Sequence, residues 1–302
     1  MSIREAIIML TMCVVWGFHF VVIKFAVAEI SPLFYAAVRM TLVAALLAPF
    51  LRWRPGSMVK VIAAGLCLGC FNYAFLFTGL KFAPASASAI ALELYAPFAT
   101  ILSVVFLGEV VRWRRIFGIV LAFSGVVVIT ASDMSQSDPQ ALFGISLIVG
   151  AAFSEAVGAI LVKTANDFKP IQLLAWFALS GAVALTMLTL LFDAGHGAQL
   201  ADANMTVVVL AILYSALAAS IFGHTSYYWL LQRLPMAVVS TATLLTSMLA
   251  VMFSIIFLGE PLSSRFFVGG LMTLVGVAII LMRNAETGTS AKARHYPDAT
   301  GA

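Results

Sequence analysis

The sequence Phe-Leu-Gly-Glu at Phe106–Glu109 occurs again at Phe257–Glu260, 151 residues later. The same offset relates residues on both sides of it: Leu80 and Pro84 match Leu231 and Pro235, and Gly118 and Gly125 match Gly269 and Gly276. An offset that holds over about fifty residues indicates an internal duplication. In a chain as apolar as this one, duplication is typical of transporters.

The composition predicts a membrane protein. Of the 302 residues, 63% are hydrophobic and only 10% are charged. Soluble domains carry about 25% charged residues, so this chain has too little polar surface to cover a water-soluble globule. Apolar runs of roughly twenty residues recur along the chain, and each is long enough to cross the hydrocarbon core as a helix. The runs are continuous rather than alternating, which favours helices over a β-barrel.

Charged residues, glycines and prolines divide the apolar sequence into ten spans. We place these spans at 5–27, 33–51, 59–79, 84–107, 115–131, 142–162, 171–192, 205–230, 236–258 and 264–283. The predicted fold class is an all-α membrane protein with ten transmembrane helices in two inverted five-helix repeats. We expect a first repeat over 1–131, an external linker over 132–141, a second repeat over 142–283 and a disordered cytoplasmic tail over 284–302.

The positive charges predict the orientation of the chain. If the N-terminus is cytoplasmic, thirteen lysines and arginines fall on the cytoplasmic side and three on the other, which predicts that both termini are inside. Arg39 lies within the second span, and we expect it to extend toward the external headgroups. Because each repeat has an odd number of helices, the second crosses the membrane in the opposite direction. Inverted repeats of this kind place a binding site near the midplane, at the interface of the repeats.

Several residues resemble those of a known superfamily. They are Trp16 and Gly17 in the first span, Leu107–Glu109 and Leu258–Pro261 at helix ends, and the glycines of the fifth and tenth spans. Together with the ten-span duplication, they make residues 5–283 similar to the drug/metabolite transporter superfamily, in its ten-helix branch of two EamA-type repeats. More narrowly, the chain resembles the bacterial aromatic amino-acid exporters. The resemblance implies export of amino acids or related metabolites across the bacterial inner membrane, with helices 1, 3, 4, 6, 8 and 9 around the cavity.

Glu93 is the leading candidate for the substrate site. It lies nine residues into the fourth span, ~14 Å deep at a rise of 1.5 Å per residue, and therefore close to the midplane. A carboxylate at that depth is expected to face a partner or a water-filled cavity. Pro97, one turn later, frees a backbone carbonyl that would bind an ammonium group or serve as a bending point. The position 151 residues after Glu93 is Leu244, so the predicted site is chemically asymmetric.

Other polar and aromatic side chains in the spans are also candidates for substrate binding. They are Trp16, His19, Asn72, Tyr73, Tyr95, Glu155, Ser240 and Thr243. Aromatic rings near Glu93 would suit a flat hydrophobic side chain attached to an ammonium group. A zwitterion would also need a partner for its carboxylate, which Asn72, a protonated His19 or a helix N-terminus would provide.

Most of these residues have a plainer alternative role. Ser240 and Thr243 would bond within their own helix or join neighbouring helices. His19 would be a packed core residue, and Asn72 would be a clamp between helices. Glu155 would instead pair with Lys163, two turns away. Tyr227 and its neighbours are typical of an aromatic belt at the inner membrane surface.

The repeated helix ends are assigned to architecture rather than to substrate contact. Gly108, Glu109, Gly259 and Glu260 recur at mirror-related positions, where they would end their helices and fix the following turns. Together with Pro97, they are the predicted hinge or structural residues.

The sequence contains no motif for hydrolysis or ATP binding. There is no H-E-x-x-H, no G-x-S-x-G and no Walker A sequence, so we predict neither an enzyme nor an ATP-driven pump, and no metal or cofactor. Cys67 and Cys70 form a C-x-x-C inside an apolar span, where packing is the better explanation. The expected partners are a small-molecule substrate and the lipid bilayer, without nucleic acid, and we expect the protein to work as a monomer.

The favoured function is a secondary transporter that exports amino acids, aromatic ones first, by alternating access. The alternative is an exporter of cationic drugs, nucleosides or small neutral metabolites on the same fold. A lipophilic cation would need only a carboxylate and aromatic rings, without a second polar anchor. A non-transporting scaffold is least favoured, since it would need neither the duplication nor Glu93. The sequence leaves open whether Glu93, His19 and Glu155 carry protons or whether transport is facilitative.

Overall fold

The computed structural model describes residues 1–293 except 109, 134–138, 164–167, 194–199, 232 and 235. Within helices, the side chains at 107, 131–133, 228, 231, 236–237, 240–241 and 282–293 are also outside the described part. The described backbone is almost entirely helical and contains no strand.

Ten helices, named here α1 to α10 in chain order, correspond to the predicted spans. They are α1 Ile3–Glu29, α2 Pro32–Leu47, α3 Met58–Phe82, α4 85–107, α5 Trp113–Asp133, α6 Pro139–Lys163, α7 Pro170–Phe192, α8 205–231, α9 Met236–Leu258 and α10 Ser264–Ala293. Nine of them, in their described parts, are long and apolar enough to cross a membrane, and α9 adds an apolar stretch over Ala242–Leu258. The all-α, ten-span fold class is therefore confirmed.

Proline and serine set several helix starts. Pro32 and Pro170 open α2 and α7, where a missing N–H is tolerated because the first turn has no partner for it. Ser31 caps α2 through its side chain, which accepts a hydrogen bond from the Phe34 N–H. At the other end of the chain, α10 continues to Ala293, although the span was predicted to end at 283. The predicted tail therefore lies partly in this helix and partly outside the described residues, and the boundaries of the repeats stay predictions.

The pairing of α5 with α10 follows a two-fold relationship. A Cβ atom on Gly118 would lie 2.8 Å from the Gly276 carbonyl oxygen, and one on Gly125 would lie 2.4 Å from the Gly269 carbonyl oxygen. Gly118 thus meets the repeat copy of Gly125, and Gly125 meets the repeat copy of Gly118. A two-fold axis produces this exchange. The two helices touch through bare backbone, so the repeats are joined closely along this seam.

Three helices near the centre of the molecule are irregular. Leu66–Phe71 in α3 and Tyr214–Phe222 in α8 are π-helical, and the offset of 151 carries the first of these segments onto the end of the second. In α4 the helix Ala85–Leu92 gives way at Glu93 and Leu94 to the helix Tyr95–Leu107. π-Helical turns are frequent at functional sites, because they re-aim side chains and leave carbonyl groups for other partners.

Side chains from neighbouring helices satisfy the carbonyl groups in and beside the π-helical segments. The Trp16 indole donates to the Ala219 carbonyl over 2.9 Å, and the Ser154 hydroxyl donates to the Cys67 carbonyl over 2.9 Å. The Tyr35 hydroxyl donates to the Ala211 carbonyl over 3.2 Å. The irregular backbone is therefore held by tertiary contacts, as it must be where water is excluded.

The two repeated helix ends have the same backbone geometry where it is described. Gly108 and Gly259 have φ values of +67° and +64°, in the left-handed region that favours glycine at the end of a helix. After Gly259, the Glu260 carboxylate reaches across to the start of α4, away from the centre of the bundle. Glu109 lies outside the described residues, so its architectural role stays a prediction.

Candidate substrate cavity

A cavity of about 260 Å³ opens beside the interruption of α4, the π-helical segment of α8 and the part of α3 that follows its π-helical segment. Its walls include residues of helices 1, 3, 4, 6, 8 and 9, which are the helices that the family resemblance implied, with Arg39 from α2 and Leu281 from α10 in addition. A cavity near the lower end of ligand-pocket sizes suits a small metabolite better than a bulky drug.

The structure brings nearly all of the predicted substrate-binding residues to this one cavity. Its walls include Trp16, His19, Asn72, Tyr73, Glu93, Tyr95, Glu155 and Thr243. The side chain of Ser240 lies outside the described part of the chain. Substrate contact by these residues stays a prediction. The eight residues come from five helices and line one cavity, so they are able to act on the same ligand.

Glu93 lies where α4 changes direction. Its carboxylate accepts a hydrogen bond from the Ser247 hydroxyl of α9 over 2.6 Å, and the side chain is only half-buried because it faces the cavity. The carbonyl that Pro97 leaves without a helical donor, that of Glu93, instead accepts from the Ala96 N–H over 3.1 Å. That carbonyl is therefore already occupied, and the group that Glu93 offers to a ligand is the carboxylate.

Glu155 shares the cavity with Glu93. The Asn72 amide donates to the Glu155 carboxylate over 3.4 Å and to the Ala151 carbonyl over 3.0 Å, so Asn72 joins α3 to α6 as well as lining the cavity. The two carboxyl groups are close enough to interact electrostatically. Among the described contacts of Glu155, none is to Lys163.

Arg39 does not extend to the external surface as expected. Its side chain is only 1% exposed and lines the cavity. The guanidinium donates to the Ser220 hydroxyl over 2.8 Å and to the Ser215 carbonyl over 3.4 Å, and it lies 4.2 Å from the centre of the Tyr73 ring. Hydrogen bonds to the π-helical segment of α8 and a cation–π contact with Tyr73 stabilise the buried guanidinium.

Two histidines lie beside Arg39. His19 shares a 2.9 Å hydrogen bond with the Ser215 hydroxyl, and a ring nitrogen of His224 lies 3.0 Å from the Ser220 carbonyl. Both histidines interact electrostatically with Arg39. His19 is therefore a hydrogen-bonded core residue and a cavity residue at once, so its two predicted roles are compatible.

Aromatic rings also line the cavity, and Trp16 packs beside one of the histidines. The Trp16 ring lies 5.5 Å from His224 and 5.8 Å from Tyr227, measured between ring centroids. Because the Trp16 N–H is bonded to the Ala219 carbonyl, Trp16 offers a ligand its ring rather than a hydrogen bond. Tyr227, which we expected at the inner membrane surface, also lines the cavity.

The polar cavity residues that the sequence did not place at the site include Arg39, His224 and Tyr227. One signal was present for His224, because the repeat offset of 151 applied to Tyr73 leads to it. Among the residues that the structure describes, no cluster of His, Cys, Asp and Glu could hold a metal ion.

A family model matches residues 3–131 and 142–282, once for each repeat, with the description EamA-like transporter family. The chain belongs to this family. The membership confirms the predicted superfamily, and it makes the chain a multi-pass membrane transporter with a small-molecule substrate rather than an enzyme.

Relatives of this EamA-like transporter match over nearly their whole length. Proteins of Salmonella typhimurium strain LT2 and Escherichia coli strain K12, each described as a probable amino-acid metabolite efflux pump, are 30% identical to it, covering 92% of this chain and 95% of theirs. An uncharacterized transporter of Archaeoglobus fulgidus is 25% identical over 89% of this chain and 95% of its own. One solved crystal structure with 17% identity has a TM-score of 0.61 over 95% of this chain and 99% of its own, which shows the fold alone.

Proposed function

We propose that this EamA-like transporter exports amino acids, aromatic ones first, across the bacterial inner membrane by alternating access. The observation that carries the proposal is the cavity itself, in which two carboxylates, Glu93 and Glu155, share a small space with aromatic rings. Carboxylates attract the ammonium group of an amino acid, and aromatic faces suit a flat apolar side chain. The description of the Salmonella typhimurium and Escherichia coli relatives as probable amino-acid metabolite efflux pumps supports the same cargo class.

The irregular helices support alternating access. Glu93 lies at the interruption of α4. The cavity is also lined by Ala219 in the π-helical segment of α8 and by Asn72, directly after that of α3. Helices broken near a site permit one part of a helix to move without displacing the rest. The glycine contacts between α5 and α10 would remain fixed while the other helices rearrange.

The orientation and oligomeric state belong to the same proposal. The excess of positive charge on one side supports a cytoplasmic location for both termini. We propose a functional monomer, because the residues invoked for substrate binding need no second copy.

A second candidate is export of lipophilic cations on the same fold. Two carboxylates facing one cavity would also suit a cationic drug, which carries no group for Arg39 to bind. This candidate predicts that amines without a carboxylate are transported at least as well as amino acids.

Counterflow in proteoliposomes tests the proposal. Vesicles loaded with unlabelled phenylalanine are offered labelled phenylalanine, first without and then with an imposed pH gradient. Saturable uptake that other aromatic amino acids block supports the proposed cargo. A response to the gradient would indicate proton coupling, and its absence would indicate a facilitator. Absence of uptake for every amino acid, together with uptake of a cationic amine, would replace the proposal by the second candidate.

A further inference from the structure

We infer that Arg39 binds the carboxylate of the cargo, so the cavity selects α-amino acids that carry both a free carboxylate and a free ammonium group. This inference rests on the proposed function and assigns its second polar anchor. The cavity holds the guanidinium of Arg39 and two carboxylates, and the guanidinium does not pair with either carboxylate.

The guanidinium of Arg39 has no acidic partner among the described residues. Its contacts are to hydroxyl and carbonyl oxygens and to the rings of Tyr73 and Phe77. Ionisable groups inside a membrane are expected to pair with an opposite charge or to serve a substrate. Glu93 and Glu155 line the same cavity, yet each bonds to a neutral side chain instead.

The contacts of Arg39 leave one nitrogen of its guanidinium without a hydrogen-bond partner among the described groups. Nε donates to the Ser215 carbonyl, and Nη2 donates to the Ser220 and Tyr73 hydroxyls. Nη1 is buried and has no hydrogen-bond partner in the described structure. A buried donor without a partner is costly, and a ligand carboxylate would satisfy it with a charge-assisted hydrogen bond.

Tyr73 completes the anion site. Its hydroxyl oxygen accepts from Arg39 Nη2 over 3.4 Å, which leaves the hydroxyl proton to be donated to a ligand. Since Tyr73 lines the cavity and its ring lies against the guanidinium, a carboxylate that approaches Nη1 would also meet this hydroxyl. The pair would therefore provide two donors to one carboxylate.

The walls of the cavity carry groups of both charges. Arg39 interacts electrostatically with His19 and His224, whereas Glu93 interacts with Glu155. A zwitterion that spans the cavity would place each of its charges against its complement. An amine alone would leave Arg39 unsatisfied, and a carboxylic acid alone would leave the two glutamates unsatisfied, so both should bind more weakly.

The inference is tested by comparing three small ligands on the purified full-length protein. They are phenylalanine, phenethylamine, which lacks the carboxylate, and 3-phenylpropanoate, which lacks the ammonium group. Apparent dissociation constants are measured from ligand-induced shifts in melting temperature. The wild type should bind phenylalanine about 10- to 100-fold more tightly than phenethylamine, the range expected for one charged hydrogen-bonded contact.

Variants of Arg39 and Tyr73 separate ligand binding from helix packing. Arg39→Gln should raise the dissociation constant for phenylalanine by about 10- to 100-fold and change that for phenethylamine by less than about 3-fold. Arg39→Lys should recover part of the lost affinity for phenylalanine. Tyr73→Phe keeps the ring, and it should raise the dissociation constant for phenylalanine by about 3- to 10-fold without affecting that for phenethylamine. Arg265→Gln, at an exposed position, is the matched control and should change neither ligand.

Two results in the variants would overturn the inference. One is an unchanged affinity for phenylalanine in Arg39→Gln and Tyr73→Phe. The other is an equal loss of phenylalanine and phenethylamine binding, which would make Arg39 only a brace between α2 and α8. If Arg39→Gln does not fold, the selective effect of Tyr73→Phe decides. Failure of the proposed function would instead be visible in the wild type, as binding of phenethylamine without binding of any amino acid.

Discussion

Glu260, at the end of α9, caps the start of α4 through Ser86. Its carboxylate accepts the Ser86 hydroxyl over 2.6 Å and the Ser86 N–H over 3.0 Å, and it also accepts the Ala85 N–H over 2.6 Å. Free N–H groups and the positive end of the helix dipole favour a carboxylate at this position. A residue that ends one helix of the second repeat therefore begins a helix of the first.

We predict that Glu260→Ala destabilises the protein by about 1–2 kcal/mol, since it removes a cap that bears a charge. The melting temperature of the purified protein measures the effect. Glu29→Ala is the matched control, because the Glu29 carboxylate accepts one backbone N–H, from Asn204 over 2.7 Å. A melting temperature for Glu260→Ala as high as that of Glu29→Ala would contradict the importance of this cap.

Glu93→Gln should fold normally and reduce phenylalanine counterflow by about 10-fold or more, because the charge that would attract the ammonium group is gone. The amide still accepts a hydrogen bond from Ser247, so the local packing should be preserved. Asp202→Asn, at an exposed position, is the control. Transport at the wild-type rate by Glu93→Gln would refute the substrate role. If Glu93 carries protons instead, the variant should still exchange substrate while losing its response to a pH gradient.

Asn72→Leu tests whether Asn72 is a clamp, a cavity residue or both. Loss of the amide removes the bonds to Ala151 and Glu155 and should destabilise the protein by about 1 kcal/mol, the scale of polar contacts between membrane helices. If Asn72 also acts on the cargo through Glu155, the KM for phenylalanine should rise as well. A lower melting temperature with an unchanged KM would leave Asn72 as a clamp alone.

Gly125→Ala should destabilise the protein by about 1–3 kcal/mol, the usual range for overpacking. The new methyl group would lie 2.4 Å from the Gly269 carbonyl oxygen and 2.3 Å from the Thr273 hydroxyl oxygen, so α5 and α10 would have to separate. Gly270→Ala provides a control on the same helix but away from the seam, since a Cβ atom there meets nothing within 4 Å. Equal melting temperatures for the two variants would show that the seam is looser than these distances imply.

The spans were predictable because length, hydropathy and repeated turns are local properties of the chain. The interior of the site was less so. Arg39 was expected at the surface because its partners, Tyr73 and Ser220, are 34 and 181 residues away and become neighbours only through folding. The π-helical segments have no distinctive composition, so the acceptor at Ser215 could not be anticipated. Glu93 was easier to identify, since a carboxylate deep in an apolar span is recognisable from the sequence alone.

The exchange of contacts between Gly118, Gly125, Gly269 and Gly276 has a consequence for the two halves of the chain. Gly118 meets Gly276 and Gly125 meets Gly269, so the two repeats make the same contact twice. A single five-helix polypeptide inserted in both orientations would form this seam with another molecule of itself, as an antiparallel homodimer. Joining both halves in one chain removes the need for them to be identical, and the pair Glu93 and Leu244, 151 residues apart, shows how far the halves differ.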